Sequence, residues 1–230
     1  MESRRLLRRL AAGIRGTDYY ADPRRYWERR HGAHAGLRGV GRLDLPESAN
    51  ADDYAVKSRH VEELLRSIHG GGSPRLLDAG CGVGVFTQVA HDLGYRVTGL
   101  DFSSSALSVA RERLPASVVL HEGDLMSACA FGTFDVVMAI DVLIHVVDEA
   151  TWRNSVRTLA SAVEPGGHLV IQEYLRPQGA RSLPPAEHVA ARTLSQYVSE
   201  LPSWRVVVHD HYALAHEKAE KDLLAFARSS

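Results

Sequence analysis

Leu76-Leu77-Asp78-Ala79-Gly80-Cys81-Gly82-Val83-Gly84 is the stretch that decides the fold of this 230-residue chain. A short apolar run enters glycines spaced one residue apart. An apolar segment with helical periodicity, Val85 to Leu93, follows directly and is stopped by Gly94. A strand, a glycine turn and a helix in that order open a βαβ unit. Glycine permits positive φ and lets a ligand approach the main chain closely. In parallel sheets, ligands bind beyond the carboxyl ends of the strands. The loop is therefore a candidate ligand site by position as well as by composition.

Working outward, the alternation continues. Strands are expected at Pro74–Ala79, Arg96–Leu100, Val118–Glu122, Phe134–Ile140 and Leu169–Glu173. Helices are expected over Val85–Leu93, from a Ser103 cap to about Pro115, and over Glu149–Val163, with Pro165-Gly166-Gly167 turning the chain into the next strand. Short apolar strands alternating with amphipathic helices mean a parallel sheet covered on both faces. Towards the end, a helix around Ala186–Leu201 precedes two strand-like runs, Arg205–Tyr212 and Asp222–Arg228, close enough to pair antiparallel at one edge. Upstream, Asn50 is a plausible N-cap for a helix over Asp52–Ile68, with Tyr54, Val61, Leu64, Leu65 and Ile68 on one face and Gly70-Gly71-Gly72 as its stop. Residues 1–50, rich in arginine and aromatics, read as an N-terminal cap or lid ahead of a domain over 51–230.

Composition narrows the function. Net charge is −1 and 45% of residues are apolar, which gives a core and no basic surplus for general nucleic-acid binding. The two cysteines, Cys81 and Cys129, make no disulfide framework or metal spacing and fit a reducing cytoplasm. No apolar run is long enough to span a membrane, and the basic N-terminus lacks a signal-peptide core. Leu6, Leu7, Leu10 and Ile14 share a helical face flanked by arginines. That face reads best as packing on its own domain, with an anionic membrane surface or acidic partner as the alternative.

The ligand can be argued from charge. Gly80 and Gly82 match the first two glycines of the dinucleotide pattern G-x-G-x-x-G, but Val85 stands at the third. Asp78 beside the loop would repel a pyrophosphate and suit an ammonium group. Asp101 ends the next strand, twenty-one residues after Gly80, where a carboxylate accepts hydrogen bonds from ribose hydroxyls. Asp124 follows the third strand. A ligand with a ribose, a base and a cation, but no phosphate, satisfies all three.

LLDAGCGVG, VTGLDFS, EGDL, FDVVMAIDVLIHV and EPGGHLVIQE together resemble the successive motifs of class I S-adenosylmethionine-dependent methyltransferases, in order, from Leu76 to Glu173. The resemblance implies an α/β fold: a doubly wound, Rossmann-like, seven-stranded sheet with its last strand antiparallel, here behind an N-terminal helical cap. It implies S-adenosylmethionine as cofactor. Gly80, Gly82 and Gly84 would line the methionine moiety and Asp101 would hold the ribose. Phe102 and Leu125 would pack on the adenine, Asp124 would meet its amino group, and Ile140 and Asp141 would border the cofactor. Relatives of this kind are often dimers, so a homodimer is one option.

A sulfonium methyl group is already activated, so the protein's main task is to hold the nucleophile in line. A base is needed when the acceptor begins as a hydroxyl. His145 is the candidate base, with a pKa expected close to that of free imidazole, about 6.5. Glu173 is placed to orient it or to act alone. In small-molecule methyltransferases that this region resembles, these two places carry catalytic residues; the alternative for His145 is packing or capping. His209 and His211 lie on one strand face but lack further ligands, and Gln172-Glu173 replaces the Asp-Asn pair of metal-dependent members, so no metal is expected. The fourth strand does not enter an (Asp/Asn)-Pro-Pro-aromatic motif, which argues against nucleobase acceptors. The expectation is a small-molecule acceptor, most simply a hydroxyl. N-methylation of a small molecule or peptide is the rival, and a non-catalytic cofactor-binding protein the rival of another class. Tyr19, Tyr20, Tyr26 and Trp27, with an insert over Arg176–Ala191, offer material for a lid.

Overall fold

The computed structural model describes residues 22–34, 36–179, 188–216 and 220–228. Tyr19, Tyr20, the Leu6–Ile14 face and the expected start of a helix at Ala186 lie outside them. The strands are β1 (Arg75–Ala79), β2 (Arg96–Asp101), β3 (Val119–Glu122), β4 (Phe134–Ile140), β5 (Val163–Glu173), β6 (Trp204–Tyr212) and β7 (Lys221–Arg228). They form one sheet in the order β3-β2-β1-β4-β5-β7-β6. β1 to β5 pair in parallel, and β7 runs antiparallel to both β5 and β6. The expected doubly wound, seven-stranded sheet is the one found.

Strand periodicity builds two cores. Leu77, Ala79, Val137, Ala139, Leu169, Ile171, Leu224 and Phe226 face one side, against α6 (Glu149–Ser161) and α7 (Leu194–Glu200). Leu76, Val136, Met138, Ile140, Val170, Leu223 and Ala225 face the other, against α3 (Glu47–Ser67) and α4 (Val85–Asp92). Both faces are buried, so the central strands read as nearly unbroken apolar runs. α1 (Pro23–Ala33) and α2 (Leu37–Val40) precede α3, and α5 (Ser104–Arg113) follows β2.

Three expectations shift. α3 starts at Glu47, a full turn before the expected Asn50 cap, so the boundary drawn between residues 50 and 51 falls inside a helix. Asn50 is buried in it, where its amide accepts from Arg42 N at 2.8 Å and donates to Arg42 O at 2.9 Å, tying the preceding loop instead of capping. α6 ends at Ser161, and β5 begins at Val163 and runs through Pro165-Gly166-Gly167, with an irregular register opposite Phe134 and Val136. A Cβ at Gly167 would lie 2.5 Å from Asp135 O, so only glycine lets the strand pass. α7 begins at Leu194, because Thr193 and Gln196 form a reciprocal capping box that stops the helix from extending backwards.

Candidate functional site

Winding reverses between β1 and β4, and the crevice beyond their carboxyl ends is the place where open α/β sheets bind ligands. A cavity of about 610 Å³ lies there. The loop after β1 is shaped by its glycines. Gly80 has φ +86°, and a Cβ on it would meet Val142 at 2.4 Å; Gly84 has φ +84° and packs on Leu114 instead of the cavity. The N–H groups of Gly80 and Cys81 bond Leu100 O at 2.7 and 3.1 Å, and Gly82 N bonds Asp101 Oδ2 at 2.9 Å. Several of the loop's donors are thus turned inward, which leaves a poor phosphate cradle.

Asp101 is buried and lines the cavity. Burial pushes its carboxyl pKa up, against the N–H groups of Ser103 (2.8 Å, to Oδ1) and Gly82. A carboxylate has about four acceptor sites, so these backbone groups do not exhaust it and acceptor capacity remains for a hydroxyl. Asp78 sits elsewhere than its sequence position suggests. It is not among the lining residues; it lies fully buried and accepts from Thr87 Oγ1 at 2.6 Å, pinning α4 to β1. Burial pushes its carboxyl up to about 7.

Phe102, Asp124, Leu125, Ile140 and Asp141 all line the cavity. Asp124 also caps the short 3₁₀ turn Leu125–Phe131 by accepting from Met126 N at 3.0 Å. Asp141 is the one described non-glycine residue with positive φ, +56°. Lys57 Nζ at 2.9 Å and Lys221 Nζ at 2.6 Å bond its two carboxylate oxygens, and both lysines are buried. Burial alone would push Asp141 up; Lys221 and Lys57 hold it well below the usual carboxylate range. The sequence reading missed these lysines. Lys221 also stands 3.5 Å from the Tyr174 ring centroid.

His145 ends the 3₁₀ turn Leu143–His145 and lines the cavity. Its Nδ1 donates to His188 O at 2.8 Å, which in the neutral ring places the lone pair on Nε2. Burial pushes its pKa down to about 4, well below the near-imidazole value expected from sequence. Glu173 does not line the cavity. It is buried under the same turn, accepts from Ile144 N at 3.1 Å, and is pushed well up by burial and by Asp141. Ala190 N adds a 2.8 Å bond to Ile144 O, so the turn is gripped from two sides.

The leader and the start of α3 reach the cavity. Pro23, Trp27 and His31 of α1, Val40 of α2 and Tyr54 of α3 all line it. Glu28 docks α1 onto the start of α5, accepting from Ser104 Oγ (2.9 Å), Ser105 Oγ (2.7 Å) and Ser105 N (3.1 Å). Burial acts to raise Glu28, but the serine hydrogen bonds win and hold it down at about 2. Arg24 bonds Glu122 at 2.8 Å and Phe102 O at 3.3 Å. Sequence reasoning singled out Trp27 but not Arg24, Glu28 or His31.

His209 and His211 both bond Asp222 Oδ1, at 2.7 and 3.0 Å. Among the described residues no group of three or more His, Cys, Asp or Glu is arranged to hold a metal, and no helix is long and apolar enough to cross a membrane. The lining fits S-adenosylmethionine: a buried carboxylate with acceptor capacity to spare, apolar surfaces beside it, further acids, and, among the described residues, no lysine or arginine.

Residues 48–224 match a family model described as a methyltransferase domain. The chain is 31% identical over 116 residues to nodulation protein S of Rhizobium tropici, covering 50% of this chain and 49% of that protein. It is 41% identical over 96 residues to a ubiquinone biosynthesis O-methyltransferase of Methylobacterium sp. (strain 4-46), covering 40% of this chain and 37% of that protein. The match thus spans about half or less of the length of these curated relatives. Among solved structures, the N-methyltransferase NodS of Bradyrhizobium japonicum WM9, in complex with S-adenosyl-L-homocysteine, superposes with a TM-score of 0.65 at 21% identity, covering 81% of this chain and 93% of that one.

Proposed function

Since the chain belongs to the methyltransferase-domain family, we propose that it transfers the methyl group of S-adenosylmethionine to a small molecule, with a hydroxyl as the acceptor. The observation that carries this reading is the cavity itself. It joins Asp101 and the glycine loop to an uncharged imidazole, His145, under a roof supplied by α1. The cofactor supplies a methyl group already activated by a sulfonium. Asp101 holds the ribose hydroxyls, Gly80 and Gly82 give the methionine end close backbone approach, and Phe102 and Leu125 cover the base. Asp124 meets the adenine amino group, while Ile140 and Asp141 border the cofactor from β4. Asp78 and Gly84 act through the loop, the first by fixing α4 and the second by packing on Leu114.

On this reading His145 Nε2 accepts the acceptor's proton, and the Nδ1 bond to His188 O keeps the ring in the tautomer that can do so. A base of such low pKa removes the proton only as the acceptor oxygen forms its new bond. Glu173 serves as a positioning residue, holding the turn that carries His145. The roof excludes water and orders the acceptor. The competing reading is N-methylation of a small molecule or peptide. It draws on the solved relative described as an N-methyltransferase, and an uncharged amine needs no base. A screen of hydroxyl and amine acceptors with isotopically labelled cofactor, read by product mass, tests both. Labelled ethers support the proposal and labelled amines favour its rival. Cofactor binding with no product from any acceptor favours a non-catalytic binding protein.

A further inference from the structure

One short piece of chain far away in sequence holds the whole of the turn Leu143–His145. His188, Ala190 and Arg192 stand at alternate positions, and each meets one residue of the turn. His145 Nδ1 donates to His188 O at 2.8 Å. Ala190 N donates to Ile144 O at 2.8 Å. Arg192 Nη1 donates to Leu143 O at 3.4 Å and to Ala190 O at 2.8 Å. The two pieces run in opposite directions, with His188 beside His145 and Arg192 beside Leu143.

Arg192 is the anchor of this joint. Its side chain is 4% exposed, and a buried guanidinium is costly unless its donors are met. Its partners are main-chain oxygens on both sides of the joint, the Trp152 ring, 4.8 Å away, and Glu149 Oε2 at 3.5 Å, the last two both on α6. Its own carbonyl accepts from Arg176 N at 2.8 Å, and Thr193 beside it caps α7. A planar fork with five donors joins several acceptors at once, where a single ammonium does not.

The far end of the segment acts on the reacting ring. Burial keeps His145 neutral at neutral pH, and in a neutral imidazole the hydrogen bond at one nitrogen decides which nitrogen keeps the proton. Trp27 stands 4.8 Å and the His188 imidazole 5.4 Å from the ring, and Asp141 and Arg30 are the charged groups that act on it. The bonds at Ala190 and Arg192 fix the place of the His188 carbonyl.

We propose that Arg192 is a positioning residue for the methyl transfer: through residues 188–192 it keeps the His188 carbonyl on His145 Nδ1, and so keeps the lone pair on Nε2 for the acceptor's proton. This rests on His145 being the base of the reaction.

The test uses the full chain, isotopically labelled in its histidine ring nitrogens and saturated with S-adenosylhomocysteine. Long-range nitrogen–proton correlation NMR at neutral pH tells a protonated ring nitrogen from one that carries a lone pair. The chain has twelve histidines, so the His145 signals are identified by their loss in His145→Ala. Wild type is expected to hold the proton on Nδ1. In Arg192→Met the ratio of the Nδ1–H to the Nε2–H form falls about fivefold or more, the worth of one hydrogen bond. Arg192→Lys, whose ammonium reaches fewer acceptors, restores part of it. Arg192→Gln replaces the methionine variant should that one fail to fold. By calorimetry each variant binds S-adenosylhomocysteine as wild type does. A variant without the guanidinium that keeps the wild-type tautomer overturns the inference, as does a wild type with its proton on Nε2. A variant that loses the tautomer and the ligand together also overturns it, because Arg192 then supports the fold at large. Failure of S-adenosylhomocysteine to bind wild type overturns the functional reading, and the inference with it, whatever the tautomer.

Discussion

At the scale of single residues, the site divides into groups whose chemistry is local in sequence and groups whose partners are distant. Gly80, Gly82 and Asp101 could be read directly, because a strand end, a glycine turn and an acid at fixed spacing carry their meaning in one stretch. Lys57 and Lys221 could not. They reach Asp141 across 84 and 80 residues, and only tertiary structure brings them there. One signal was available: the chain has three lysines against 24 arginines, so each lysine was worth a question. His145 was found from its place after β4, but its low basicity was not, because burial is not visible in sequence. That difference moves the expected pH profile. His145→Ala should keep cofactor affinity and lower turnover by roughly 10²–10⁴. The wild-type rate should rise as pH climbs through about 4, where the His145 proton is lost, and be flat around neutrality. Steady-state rates from pH 3.5 to 8 check this. A variant within a few-fold of wild type would remove His145 from the chemistry. A slow variant that kept the acid limb would make it a positioning group.

Among the elements, α1 contributes three residues to the cavity lining and was the least legible in the sequence. Its sequence, PRRYWERRHGA, is polar overall, and its docking is made by Glu28 and Arg24 to residues 76 and 98 positions away. No periodicity encodes such contacts. The sheet strands, in contrast, declare themselves through apolar runs, and β5 surprised only where glycines let a strand continue through an apparent turn. Glu28→Gln should loosen α1, since charge-assisted hydrogen bonds from three serine groups become weaker neutral ones. Hydrogen exchange over residues 22–34 should speed up about tenfold, a change of roughly 1.4 kcal/mol, while exchange in β1 and β4 stays as in wild type. The pKa of Glu28 is lowered in the folded state, so the docking contribution of its charge is complete above about 4.5 and is lost as pH falls towards 2. Unchanged exchange in α1 would mean that apolar contacts at Trp27 alone hold the roof.

For the molecule as a whole, the fold was legible because patterning, glycine punctuation and motif order all point to the same topology, and the observed strand order agrees. Stability adds a test of the buried imidazoles. His31 has a folded pKa of about 4, below its ordinary 6.5, so the unfolded chain binds the proton first as pH falls. Its neutral burial therefore destabilises the fold increasingly from pH 6.5 down to 4. Asp78, raised to about 7, works in the opposite sense over pH 7 to 3.8, so only a comparison with a variant isolates His31. Relative to His31→Phe, wild type should lose up to about 3 kcal/mol in urea unfolding between those pH values; parallel curves would mean that His31 titrates normally. The most direct test of the central claim is calorimetric titration of S-adenosylhomocysteine into wild type and Asp101→Ala. The account predicts saturable one-to-one binding to wild type, weakening by roughly tenfold or more in the variant as charge-assisted hydrogen bonds are lost, and no binding of NAD to either protein. Equal affinity in both proteins, or a preference for NAD, would contradict it.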